Sequence, residues 1–279
     1  NVVIRGPQSQ RAYLYMRKSD YQSPSYTKSE YRHIINLMGC ENVQIKGLRL
    51  DSSGGDAIYI GASPDAERLP CKNVRITNCL LNNNYRQGIS ITAGELIRVK
   101  YCTIIGTYGT APQAAICIEP SGRNDPLVDI AIQDSVADRN AGSGIFIVLN
   151  KLTKDSKPVS IEVRSYKIIK SRQAAIRMVS SDDDTPTGSI NFRGVTADII
   201  AYPGLRCVWN TVSPVKVQFV NCQWNNVGWL PDQFPMEFIL NGQSPPNSPG
   251  GFTFKNCWLY DFRDRMPISA TTTENSHER

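Results

Sequence analysis

The sequence predicts an all-β chain, a single parallel β-helix solenoid of about eight or nine coils occupying residues 1–279. Two observations predict it. A strand-type phrase recurs at intervals near thirty residues, and the stretches between its copies have the composition of turns, not of helices.

The phrase alternates apolar and polar residues. It reads Val43-Gln44-Ile45-Lys46-Gly47, Val74-Arg75-Ile76-Thr77-Asn78, Ile97-Arg98-Val99-Lys100-Tyr101 and Ile130-Ala131-Ile132-Gln133-Asp134. It returns at Ile161-Glu162-Val163, Ile190-Asn191-Phe192, Val217-Gln218-Phe219 and Phe252-Thr253-Phe254. Successive first residues lie 31, 23, 33, 31, 29, 27 and 35 positions apart. Period-two alternation inside each copy is the pattern of a half-buried strand. Recurrence of that strand makes each copy one rung of a stack, which grows without a second core.

A second phrase, of the type small-Ile-x-Ile, follows in step. Ile58-Tyr59-Ile60, Ile89-Ser90-Ile91, Ile145-Phe146-Ile147 and Ile176-Arg177-Met178 share one offset from the first phrase. The coil containing Cys102 needs four extra residues before Ile116-Cys117-Ile118. The alternate isoleucines point inward as aliphatic ladders, leaving Tyr59, Ser90, Cys117, Phe146 and Arg177 along one outer face. Connectors such as Asp51-Ser52-Ser53-Gly54-Gly55-Asp56 carry no helical periodicity, so each strand pairs with its equivalent one coil away and the sheets are parallel.

Three stretches depart from the pattern. Residues 11–32 are expected as one inserted loop, residues 203–279 as looser coils, and 271–279 as a frayed polar tail. Val2, Ile4 and Gly6 match Val43, Ile45 and Gly47, so the chain is expected to begin inside a coil, with a leader or cap removed.

Composition narrows the function classes. A net charge of +6 and a pI near 8.9 suit an ordinary surface or attraction to an acidic polymer. No Lys/Arg block interleaves with aromatics, so no nucleic-acid partner is expected, and no apolar run approaches a membrane span. Eight cysteines contain no CxxC, and the chain has two histidines, His33 and His277, so zinc spacing is absent. Cys79, Cys102, Cys222 and Cys257 share one repeat position, as Cys40 and Cys71 share another, which makes them columns of buried free thiols.

The phrases Gly54-Gly55-Asp56-Ala57-Ile58-Tyr59-Ile60-Gly61, Tyr85-Arg86-Gln87-Gly88-Ile89-Ser90-Ile91 and Gly109-Thr110-Ala111-Pro112-Gln113-Ala114-Ala115-Ile116-Cys117-Ile118-Glu119-Pro120 resemble those of secreted bacterial and phage right-handed parallel β-helix proteins, the pectate-lyase-like superfamily. The resemblance covers residues 40–180 well and the remainder loosely. It implies a right-handed, extracellular solenoid that acts on polysaccharide. It does not choose a reaction, because the superfamily includes lyases, hydrolases, epimerases and tailspike depolymerases. The chain lacks the Gly-Asp-Asp and Gly-His-Gly of polygalacturonases and the Asp-Pro-His-Asp of mannuronan epimerases.

Residues sharing one register column become neighbours, and the candidate chemistry is sought there. Asp56, Arg86, Glu119 and Asp138 are the candidate catalytic residues. Asp51, Tyr59, Gln87, Gln113, Arg139 and Arg172 are the candidate substrate-binding residues. Glycoside hydrolysis needs two carboxylates, and Asp56 and Glu119 lie two coils apart, about 10 Å; Asp51 and Asp138 lie three apart, about 14 Å. A lyase needs a base and a cation facing a uronate carboxylate, for which Arg86, Arg139, Arg172, Lys151 and Lys154 are available. Tyr59, Phe146 and Trp209 are candidate sugar-stacking platforms.

Each has a structural alternative. Asp51, Asn82 and Asp138 share a turn column, where Asx side chains satisfy backbone N–H groups, and Asn78, Asn221 and Asn256 suit a bend. Asp182-Asp183-Asp184 is the one acidic run and reads as a solvated loop tip. No metal site or cofactor is therefore expected, and Ca²⁺ lacks a ligand set. The expectation is an extracellular polysaccharide lyase or hydrolase; the rival is a non-catalytic carbohydrate-binding or structural module, with an epimerase third.

Overall fold

The computed structural model describes residues 1–7, 11–181, 184–211, 213–241 and 251–272. Strands dominate them, and among the described residues the one α-helix is Lys18–Tyr21. The strands form three parallel ladders that wind around one tube.

In the first ladder Val2 pairs with Val43, and the column continues through Val74, Ile97, Ile130, Ile161, Ile190 and Val217 to Phe252. This is the column that the recurring phrase predicts. The third ladder is a nine-stranded sheet in which Ile35, Ile58, Ile89, Ile116, Ile145, Ile176, Leu205, Met236 and Ile268 stand in line. The first and second ladders join as one sixteen-stranded sheet, because Leu127–Asp138 and Val159–Ile169 run unbroken through the corner between them.

The inward residues explain the tube's cohesion. Ile45, Ile76, Ile60, Ile91, Ile118 and Ile147 are fully buried. Each such side chain removed from water is worth about 1.5–3 kcal/mol, and every rung adds several.

Corners are set by single left-handed residues. Between the first and second ladders one column holds Gly47, Asn78, Tyr101, Asp134, Ser165, Gly194, Asn221 and Asn256, all with φ between 48° and 65°. One residue in that conformation turns a strand sharply, and Gly, Asn and Asp enter it at low cost. The three asparagines therefore serve the backbone bend, in a column of mixed composition. A second bend column, after the second ladder, includes Ser52, Asn83, Gly106, Arg139 and Lys170.

Two stretches differ from expectation. Within 11–32, Ala12–Tyr15 is a strand of the second ladder paired with Leu48–Asp51, and Lys18–Tyr21 is helical. Connector structure occupies only part of that stretch. The strand is hard to read from sequence because it is short and half tyrosine, with Tyr13 and Tyr15 exposed. Past residue 203 the ladders keep register through Leu205–Asn210, Met236–Asn241 and Ile268–Thr272. What changes there is the filling. Trp209 and Trp224 are buried, and the stacked rings of Phe192, Phe219 and Phe254 lie 4.6 and 4.9 Å apart where isoleucines stand earlier. Residues 273–279 of the expected tail lie outside the described residues.

All eight cysteines are free. Cys79 and Cys102 occupy adjacent rungs and are buried, and Cys40 donates its backbone N–H to the Cys71 sulfur.

Candidate active-site cleft

The third ladder's outer face carries a cleft of about 260 Å³. Its floor is the outward column of that ladder, where Tyr59, Ser90 and Cys117 succeed one another on neighbouring rungs. Arg86 and Gln87 enter from the turn before Ile89–Ile91, and Glu119, Pro120 and Ser121 from the turn after Ile116–Ile118. Lys151 closes one side. Glu30, Tyr31 and His33 close another, from the connector that leads into Ile35–Met38.

That connector is fastened by Asp56. Ile35 pairs with Ile58, which places His33 in register with Asp56 on the next rung. The Asp56 backbone N–H donates to His33 Nδ1 at 3.0 Å, so the neutral ring carries its proton on Nε2. The ring stacks on Tyr59, with centroids 4.9 Å apart and planes 14° from parallel. The Tyr59 hydroxyl in turn meets Thr92 Oγ1 at 3.0 Å.

The Asp56 side chain is fully buried beneath the cleft. Its Oδ2 accepts the Ser90 hydroxyl at 2.7 Å and lies 3.5 Å from Arg86 Nη1 and 3.4 Å from His33 Nδ1, while Oδ1 has no hydrogen-bond partner. Burial pushes this carboxyl up to about 7 against the pull of Arg86 and the Ser90 hydroxyl. Burial pushes His33 down to about 4, with the Arg86 charge adding to it. Burial alone would lower Arg86, but the charges of Asp56 and Glu30 hold its guanidinium above its ordinary value. Near neutral pH the carboxyl thus gives up its charge more readily than the arginine.

Arg86 spans from this buried carboxyl to the rim, where its Nε lies 3.0 Å from Glu30 Oε2. On the neighbouring rung the Cys117 thiol, driven far up by burial, approaches Glu119 Oε2 at 3.7 Å. One cleft thus brings together two cations, Arg86 and Lys151, two carboxylates, Glu30 and Glu119, and the rings of Tyr31 and Tyr59.

Of the ten candidates, Tyr59, Arg86, Gln87 and Glu119 line this cleft, and Asp56 lies under its floor. Asp56 is closed off from solvent beneath Arg86, so it does not face Glu119 across the cleft as the sequence expectation has it. The other five lie elsewhere. Asp51 is the centre of a knot, accepting from Arg49, Tyr13, Ser52 and Asn82. Burial works against its charge, yet those bonds hold it below the usual carboxylate range. Asp138, in the same column, pairs with Arg139 at 2.7 Å, and Arg139 occupies a bend. Gln113 closes its own loop by accepting the Gly109 N–H at 3.0 Å. Arg172 is exposed in a turn whose backbone bonds to Asn140.

Two of the proposed stacking platforms also change place. Trp209 is fully buried and meets Phe252 edge-on, so it belongs to the core. Phe146 lies under the Arg177 guanidinium at 4.8 Å. Glu30, Tyr31 and His33 line the cleft without being among the sequence candidates. The available signal was Ile35-Asn36-Leu37, a short second phrase just after His33, whose alternation marks the rung that carries them. Among the described residues no group of three or more metal-ligating side chains is assembled, and Asp182 and Asp183 lie outside those residues.

A tube of three parallel ladders defines the class of β-helix proteins. The model of the right handed beta helix region matches residues 28–193, well over half of the chain, and the protein belongs to that family. A curated relative, "Uncharacterized protein YclG" of Bacillus subtilis (strain 168), is 32% identical over 112 residues, covering 38% of this chain and 19% of its own length. Two solved structures are similar at 11% identity. The Agl-KA catalytic domain has a TM-score of 0.44, over 85% of this chain and 47% of that one. The family 28 exopolygalacturonase of Yersinia enterocolitica has a TM-score of 0.46, over 98% of this chain and 59% of that one. The chain spans less than two thirds of each of these proteins.

Proposed function

We propose that this protein is an extracellular polysaccharide-degrading enzyme that binds a glycan across the third ladder's outer face and hydrolyses it in the cleft over Arg86. The observation that carries the reading is the presence of Glu30 and Glu119 in one cleft with Arg86 between the rim and a buried carboxyl. Glycoside hydrolysis uses two carboxyl groups flanking the scissile bond. Glu119 gives its proton to the departing glycosidic oxygen as the bond to the anomeric carbon breaks. A water oxygen bonds to that carbon and passes a proton to Glu30. Tyr31 and Tyr59 supply apolar walls for sugar faces, and Arg86 and Lys151 supply charge for an acidic substituent.

A second reading has its own observation. Glu30 is already paired with Arg86, which suits a cleft that binds and does not cut. The test is incubation with a panel of neutral and uronate glycans, with product analysis and calorimetric binding. New reducing ends, lost in Glu119→Gln, support hydrolysis. An unsaturated, ultraviolet-absorbing product would replace hydrolysis by elimination. Binding without cleavage supports the second reading, and neither binding nor cleavage overturns both.

A further inference from the structure

The first ladder presents a different face of the tube; of its two outward columns the first carries two arginines and one glutamate, and the second is strongly cationic. One column runs through Gln44, Arg75 and Arg98 on successive rungs. The other holds Arg5, Lys46, Lys100, Arg164, Arg193 and Lys255 at equivalent positions. Glu162 is the one acidic residue in these two columns. Some of the charge is compensated locally. Arg98 meets Asp129 at 2.6 Å, Lys100 meets Asp134 at 3.6 Å and Arg193 approaches Glu162 at 3.9 Å. Arg5, Lys46, Arg75 and Arg164 are exposed and form no ion pair among the described residues.

The face also has relief. A hollow of about 290 Å³ is lined by Arg75, Thr77, Arg98, Lys100 and Gln133 around an apolar patch of Leu96, Val99 and Ala131, which sets positive charge, hydroxyl and amide groups at the edge of an apolar floor. We infer that this face is a second binding site, separate from the cleft, for a linear acidic polysaccharide such as a polyuronate lying along the tube axis. Neighbouring rungs are about 4.8 Å apart, on the order of one sugar unit, so the four rungs from Arg5 through Lys46 and Arg75 to Arg98 and Lys100 offer an unbroken run of cations to successive carboxylates, while the rungs of Gln133 and Gln218 offer amides. The polar residues between the cations (Gln44, Thr77, Gln133, Asn191, Gln218) suit sugar hydroxyls. Nucleic acid is the weaker fit. No aromatic residue stands in either column, and single strands bind through base stacking on such rings.

The experiment measures affinity for polygalacturonate of the whole chain and of Lys46→Glu/Arg75→Glu, with Lys46→Gln/Arg75→Gln as a milder pair. An uncharged glucan and an oligo-dT strand serve as rival ligands, and Arg86→Gln as the cleft variant. Polygalacturonate affinity should fall about tenfold in the charge-reversed pair and less in the milder one, weaken with added salt, and persist in Arg86→Gln. Melting temperatures should match, since both side chains are exposed. Equal affinity of the variants and the parent, equal binding of the glucan, or tighter binding of oligo-dT would overturn the proposal. Loss confined to Arg86→Gln would assign all binding to the cleft. The site on this face stands or falls independently of cleavage.

Discussion

Replacing Asp56 by Asn should change how stability depends on pH, more than it changes stability at any one pH. The carboxyl titrates at about 7 in the fold, against an ordinary value of 3.8. Below the lower value both states hold the proton. Between the two values only the folded state does, so the group's stabilisation of the fold, complete below 3.8, declines as pH rises and is gone above about 7. Linkage leaves a contribution of roughly 3 kcal/mol at about pH 5 and close to none at about pH 8. His33 acts with opposite sign. Its folded value, about 4, lies below the ordinary 6.5, so its contribution is complete above 6.5 and is lost as pH falls toward 4. In the parent the two slopes largely cancel between about pH 4 and pH 6.5, which would hide both. Asp56→Asn removes one and exposes the other. Urea unfolding followed by tryptophan fluorescence, at about pH 5 and about pH 8, measures the difference. Relative to the parent, the variant should lose roughly 3 kcal/mol more at the lower pH than at the higher. Parallel stability profiles for parent and variant would refute a neutral buried carboxyl under Arg86.

Gly88→Ala should cost about 1–3 kcal/mol in the same assay, because an added Cβ would lie 2.3 Å from an Ile104 methyl and 2.5 Å from the Ala115 carbonyl oxygen; an unchanged midpoint would contradict that packing. Asn78→Val should lower stability by about 1–2 kcal/mol, since a β-branched residue resists the φ of 53° there, whereas Asn78→Gly should be nearly neutral. A thiol reagent should modify Cys40 and Cys257 first in the folded protein and all eight cysteines after denaturation without reductant; fewer than eight would mean that disulfides form.

The tube was legible because stacking repeats one instruction. Val43, Val74, Ile97 and Ile130 each announce a strand, and their common register follows from alternation alone, since a one-residue slip would turn every apolar side chain outward. The cleft was only half legible, for two reasons. Tyr59, Gln87 and Glu119 belong to regular rungs, and column counting finds them. Glu30 and His33 sit on a rung whose strand, Ile35–Met38, is four residues long and follows a tyrosine-rich stretch without the phrase. Column counting also selects too much. Asp51 and Asp138 share a register position and look like a carboxylate row, but whether such a residue faces solvent or satisfies its neighbours depends on what covers it. Tyr13, from an unrecognised strand, covers Asp51.

The connectors between strands vary in length while every strand column stays in step. A stretch inserted at a corner therefore displaces nothing above or below it, and the winding absorbs novelty at its outer edge. The cleft wall built from residues 30–33 can be exchanged without disturbing the isoleucines behind it. Such a molecule can diversify its recognition as a shelf changes its books, one coil at a time.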